Sequence, residues 1–126
     1  MRPCRRRPSK ARMAVASYRL RVSLEGIRPA IWRRLEVPGD ANLGWLHAVI
    51  QVAMGWTNSH LHQFFVGTKV YSDPSFELDE FEGDPSVLDE REATLAEAAS
   101  REKAELGYEY DFGDGWEHDI VLEAVL

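Results

Sequence analysis

The chain has 126 residues, is 44% hydrophobic and carries thirteen aromatic side chains, which suits one domain with a single core. No apolar run approaches the roughly 18 residues of a membrane span, and no apolar stretch of secretory length follows the basic N-terminus. Neither a transmembrane helix nor a signal peptide is therefore expected, and the single cysteine, Cys4, excludes an internal disulfide and fits a cytoplasmic protein.

The formal net charge of −6 hides an asymmetry. Residues 1–16 hold Arg2, Arg5, Arg6, Arg7, Lys10 and Arg12 and no acid, a net +6. The remaining 110 residues hold nine bases and twenty-one acids, a net −12. This divides the chain into a basic, disordered arm (1–16) and one acidic domain (17–126). The acidic body repels nucleic-acid phosphates. Arg5, Arg6, Arg7 and Lys10 in the arm would attract them in a salt-sensitive, sequence-independent way.

In chain order, "SYRLRVSLEGI" alternates, with Tyr18, Leu20, Val22 and Leu24 on one face and Arg19, Arg21 and Ser23 on the other. That is a half-buried strand. "IWRRLEVPGD" reads as its partner, with Trp32, Arg34 and Glu36 on one side and Pro38-Gly39 closing it. "NLGWLHAVIQVAMGW" changes to helical period through Leu46, Val49, Ile50, Ala53 and Met54. Asn42 or Asp40 is placed to cap its start and Gly55 to end it, with Trp56 folding back. His47 and Gln51 share another stripe, expected on the wetter side, while Trp45 and Trp56 are expected in the helix–sheet core. "HLHQFFVGTKVYS" reads as two short strands joined at Gly67-Thr68. From Asp73 to Glu92, nine acids against one base predict a solvated loop. Thr94 with Glu97 is a capping box opening a short helix. Two strands then flank Gly113-Asp114-Gly115. The order β-β-α-β-β-α-β-β predicts an α+β fold, a mostly antiparallel sheet with helices packed on one face.

The last hairpin, "YEYDFGDGWEHD", packs four aromatics, five carboxylates and a histidine into twelve residues. A two-residue turn at Asp114-Gly115 would put Phe112 opposite Glu117 and mix apolar with charged groups on both faces. A three-residue loop, Gly113 to Gly115, pairs Phe112 with Trp116, Tyr110 with His118, Tyr108 with Ile120 and Leu106 with Leu122. It segregates the faces and is the expected register. It also sets Asp111 against Glu117 and Glu109 against Asp119. Like charges directly opposite are destabilising, and arginines of the first two strands are the expected compensators.

Candidate chemistry is sparse. Asp111-Phe112-Gly113 lacks every other kinase element, and the carboxylate spacing fails the calcium-loop pattern. No HExxH, paired CxxC or GxSxG is present, so a nucleophile-based enzyme lacks its reagent. His60 and His62, two apart, fall on one side of a strand. With Asp111, Asp114 and His118 they form the candidate polar cluster, able to serve acid–base work or hydrogen-bonding alone. No cofactor or bound metal is expected. Trp32, Arg33 and Arg34 form an aromatic–basic patch able to grip a partner. Trp116 is expected to pack on Phe112 and is a further candidate binding residue.

The stretches "YRLRVSLEGIRPAIWRRLEVPGD", "LHAVIQVAMGW", "HLHQFFVGTKVYS" and "YEYDFGDGWEHDIVLE" together closely resemble the plasmid pRiA ORF-3-like family, over roughly residues 17–125. The family occurs on plasmids, bacterial chromosomes and insertion elements, where some members are labelled TnpR-like passenger proteins. The resemblance implies the α+β architecture and no particular activity, and no recombinase serine motif is present. It also implies a C-terminal continuation with Pro-Pro-Glu-Asp and Gly-Gly, which is expected to be missing here. The sequence is thus read as a non-enzymatic binding or accessory domain with an unidentified protein or nucleic-acid partner. Its alternatives are an acid–base or metal-assisted enzyme using the His/Asp cluster, and nucleic-acid binding through the arm.

Overall fold

A computed structural model describes residues 16–76, 87–100, 103–111 and 113–126. Its frame is one seven-stranded sheet in the order β2-β1-β7-β6-β3-β4-β5. The strands are β1 (Ser17–Leu24), β2 (Ile31–Pro38), β3 (His62–Val66), β4 (Lys69–Ser72), β5 (Val87–Asp89), β6 (Glu105–Tyr110) and β7 (Trp116–Val125). All neighbours are antiparallel except β4 and β5, which run parallel. Helix α1 (Leu43–Met54) and the single-turn helix α2 (Leu95–Ala98) complete the α+β fold.

The alternation in β1 does what its period requires. Tyr18, Leu20, Val22 and Leu24 are buried, and the intervening residues face the open side of the sheet. Ile120 and Leu122 of β7 and Leu106 and Tyr108 of β6 extend the same buried layer. Leu43, Leu46 and Ile50 of α1 close it from above. Each fully buried side chain of this size contributes about 1.5–3 kcal/mol. The Asn42 side chain accepts the Trp45 N–H at 2.8 Å, and Gly55 ends α1 at φ 79. The Trp56 N–H returns to the Gln51 carbonyl at 2.9 Å, so the chain reverses onto the last turn as expected. The Thr94–Glu97 capping box is formed in both directions.

Several expectations are corrected. His47 and Gln51 are buried, whereas Trp45 is exposed on the outer face of α1. The acidic stretch is not all solvated loop: Pro74–Phe76 and Glu90–Glu92 are turns of 3-10 helix, β5 adds a strand, and Glu90 is buried. His60 precedes β3, so the strand positions only His62. In the last hairpin the register differs by two residues. Tyr110 faces Trp116, Tyr108 faces His118 and Leu106 faces Ile120, leaving residues 111–115 as the loop. A shift of two keeps every side chain on its face, which is why face segregation could not tell the two ladders apart. Phe112 lies outside the described residues, and Trp116 packs near Trp56, with ring centroids 5.6 Å apart.

The opposed carboxylates are accordingly Glu109 and Glu117. The arginines of β1 and β2 do not reach them. Arg34 crosses β1 to Glu123 at 2.8 Å, Arg19 pairs with Glu36 at 3.5 Å, and Arg21 lies 4.3 Å above the Trp32 ring. The strand order explains this, since β2 lies at the sheet edge and the irregular register between β1 and β7 brings Glu123 within its range. Glu109 instead accepts the Gln63 amide at 2.9 Å.

Candidate functional site: a histidine-walled cleft

Four elements place polar side chains side by side on the covered face of the sheet. Positions 47 and 51 lie one turn apart on α1, so His47 and Gln51 both point at Tyr108 in the middle of β6. The Gln51 amide donates to the Tyr108 hydroxyl at 2.9 Å, and that hydroxyl lies 2.6 Å from His47 Nδ1. His47 Nε2 lies 2.8 Å from Asn58 Oδ1, and the Asn58 N–H donates to Gln51 Oε1 at 2.6 Å. These contacts have one consistent direction. Because Gln51 Oε1 is an acceptor, its amide nitrogen faces Tyr108. The tyrosine proton then goes to His47 Nδ1, and His47 donates from Nε2 to Asn58. His47 is therefore neutral, and burial followed by the neighbouring His62 lowers its pKa. Burial likewise pushes the Tyr108 hydroxyl well above the usual phenol range.

His62 opens β3 and stacks on His47 with ring centroids 3.5 Å apart and planes 8° apart. Its Nε2 lies 2.7 Å from a carboxylate oxygen of Glu90. His62 is 2% exposed and Glu90 4%, so the pair is withdrawn from water almost entirely. The loop between α1 and β3 is tied at three points. Asn58 bonds Gln51, the Ser59 N–H donates to the Tyr110 hydroxyl at 2.8 Å, and the Asp111 N–H donates to the Leu61 carbonyl at 2.8 Å.

Between this loop and the turn after β4 opens a cleft of about 450 Å³, lined by His47, Asn58, Ser59, His60, Leu61, His62 and Asp73. The Ser75 backbone N–H holds the Asp73 carboxyl below its usual range. At the rim, His60 Nε2 stands 3.6 Å from an Asp111 oxygen, and Asp111 itself adopts a left-handed backbone conformation, φ 64.

The structure thus brings His60 and His62 to one cleft and sets Asp111 against His60 at its rim. Asp114 lies in the hairpin turn, its N–H directed at Asp111 Oδ1 at 3.4 Å. His118 is buried behind Tyr108 with both ring nitrogens engaged: it accepts from Trp56 Nε1 at 3.1 Å and donates from Nδ1 to the Tyr108 carbonyl at 3.2 Å. Burial lowers its pKa. Trp116 packs beside Trp56 outside the cleft lining. Trp32, Arg33 and Arg34 stand on β2, four strands from β3. Arg33 donates there to the Ala53 carbonyl at the end of α1, at 3.1 Å. Arg5, Arg6, Arg7 and Lys10 lie outside the described residues. Sequence reasoning missed His47, Gln51, Asn58, Asp73, Glu90 and Tyr108. The one local signal was the i, i+4 spacing of His47 and Gln51 on a helix without a charged residue. Among the described residues, no group of three or more His, Cys, Asp or Glu side chains is arranged to hold a metal ion. No helix among them is long and apolar enough to cross a membrane.

An open-faced, mostly antiparallel α+β sheet with a histidine-walled cleft on its covered side is the class of domain these observations define. The chain belongs to the plasmid pRiA4b ORF-3-like protein family, whose model matches residues 16–126. It is 41% identical over 112 residues to "Uncharacterized protein y4hQ" of Sinorhizobium fredii, a match covering 88% of this chain and 55% of that protein. The chain therefore spans about half the length of this curated relative. Among solved structures it is similar to a protein of unknown function, MM3350, from Methanosarcina mazei Go1. The TM-score is 0.75 at 32% identity, over 89% of this chain and 62% of that one.

Proposed function

We propose that this is a cytoplasmic binding domain, an accessory protein of plasmids or insertion elements, and that it binds a small polar ligand in the His47–His62 cleft. The observation that carries this reading is the buried His62, 2.7 Å from Glu90, set in the wall of an open cleft. A cavity lined by a few convergent polar side chains is the default place for a small ligand. Binding is favoured over catalysis because His47 is committed at both ring nitrogens to protein groups. It offers a fixed surface instead of a base ready to take a proton. A thermal-shift screen of amino acids, polyamines, sugars and nucleotides tests this. A hit that raises the melting temperature and is lost in Asp73→Ala or Asn58→Ala is expected. Hits indifferent to both variants would overturn it.

A second reading, an acid–base enzyme, is favoured by the His60–Asp111 pair, since the exposed His60 ring faces the cleft while a carboxylate in a left-handed backbone conformation stands against it. Turnover of any hit from the screen, lost on Asp111→Asn with binding retained, would replace the first reading by this one.

A further inference from the structure

The cleft has a sign as well as a shape. Of its lining residues Asp73 is the one carboxylate, and no lysine or arginine joins it. The turn Pro74–Phe76 holds that carboxylate in place. The Ser75 N–H donates to Asp73 Oδ1 at 2.9 Å, and together with the Ser75 hydroxyl it keeps the group ionised. An ionised carboxylate accepts at about four lone-pair sites, so these two donors leave acceptor capacity for a ligand. The bases nearby are already matched. His47 is neutral and committed at both ring nitrogens, His62 has Glu90 at 2.7 Å, and His60 has Asp111 at 3.6 Å. Arg91, whose charge reaches Asp73, is held by both oxygens of Asp89 at 3.1 and 3.0 Å. Asp73 is the charge left over, and the acidic body around it, −12 over residues 17–126, draws cations towards the same mouth.

The other lining groups narrow the cation further. Among the described residues no three His, Cys, Asp or Glu side chains are arranged to hold a metal ion, whereas an ammonium group needs only oxygen acceptors, here the Asp73 carboxylate and the Ser59 hydroxyl. A donor stands in the same lining. The Asn58 amide oxygen takes the His47 Nε2 proton at 2.8 Å, which leaves the amide hydrogens for an acceptor on the ligand. Leu61, 38% exposed, supplies the one aliphatic side chain of the lining. We propose, on the basis of the cleft reading, that the ligand is an organic ammonium ion on a short carbon chain that also carries a hydroxyl or carbonyl oxygen. Asp73 takes the charged head, Leu61 the chain and the Asn58 amide the oxygen.

Three probe series matched in length and differing in charge test this: linear amino alcohols, the corresponding diols and the corresponding hydroxy acids. Each is titrated into the full chain while amide proton–nitrogen spectra are recorded. The amino alcohols are expected to shift the amides of residues 58–62 and 73–75, and the diols and hydroxy acids to leave them in place. Raising the salt from about 50 mM to about 500 mM should weaken the amino alcohols, because a single charge pair open to water is screened. Asp73→Asn keeps an oxygen for the Ser75 N–H and removes only the charge. It should weaken the amino alcohols by roughly tenfold or more, since a charge-assisted bond becomes a neutral one. If that variant does not fold, the charge series and the salt dependence of the unaltered chain still decide. A diol or hydroxy acid that shifts the same amides as strongly, or an amino alcohol that binds Asp73→Asn undiminished, overturns the ammonium assignment and leaves the cleft a binding site. Amino alcohol shifts scattered over the acidic surface overturn the assignment too. If neither these probes nor any compound of the thermal-shift screen moves the amides of 58–62 and 73–75, the cleft reading falls with it.

Discussion

One buried layer under one helix contains two chemistries. Beneath β1 and the middle of β7, Leu20, Val22, Ile120 and Leu122 are fully enclosed and purely apolar. At β3, β6 and the start of β7, the same layer holds His62, Tyr108 and His118, joined from α1 by His47 and Gln51. The apolar half is stabilised in proportion to area and tolerates change by degrees. The polar half depends on every partner being present, because an unsatisfied buried group is costly while a satisfied one contributes little. The contrast shows where the domain has given up cheap stability, and the open cleft lies on that side.

The largest effect should come from Glu90→Ala, which removes the carboxylate 2.7 Å from His62 Nε2. A loss of about 3–5 kcal/mol in urea unfolding is expected, and replacing His62 and Glu90 together by apolar residues of similar volume should recover most of it. Leu122→Ala in the other half should cost about 2–5 kcal/mol with no such rescue by a second substitution. Rescue in both halves, or in neither, would erase the distinction. Tyr108→Phe keeps shape and apolar area but leaves the Gln51 amide and His47 Nδ1 without their partner, and should cost about 1–3 kcal/mol.

Much of the apolar half was legible in the chain. Period-2 alternation gave β1, period 3.6 gave α1, and Asn42, Gly55 and Thr94 marked ends that local chemistry fixes. The polar half was not legible. His47 meets Tyr108 across 61 residues, and His62 meets Glu90 across 28. A histidine on a helix stripe is indistinguishable from a solvated one until its distant partner is in place. Glu90 was hidden for a related reason: eight other acids surround it in sequence, and only its contact with β3 singles it out.

Acid should act selectively on the polar half. His47 and His118 have folded-state pKa values lowered by burial, so the unfolded chain binds more protons below the ordinary value of about 6.5. Their contribution is complete above that pH and declines as pH falls from there towards the folded values. The slope is at most about 1.4 kcal/mol per pH unit for each. Melting temperatures at pH 7.5 and 5.5 check the sign; a midpoint that rises on acidification contradicts it. The smallest effect belongs to the open face. Arg34→Ala breaks the exposed bond to Glu123 and should leave the unfolding midpoint within experimental error.

The two-residue difference in the β6–β7 ladder has a consequence for how the hairpin finds its alignment while folding. Two ladders place the same side chains on the same face, so hydrophobic collapse alone admits both. What separates them is directional. Only where Tyr108 faces His118 can Nδ1 reach the Tyr108 carbonyl while Nε2 receives the Trp56 indole proton. His118 thus acts as a detent between two equally greasy alignments. It gives the hairpin a single resting position, and gives a buried imidazole a use that needs no substrate.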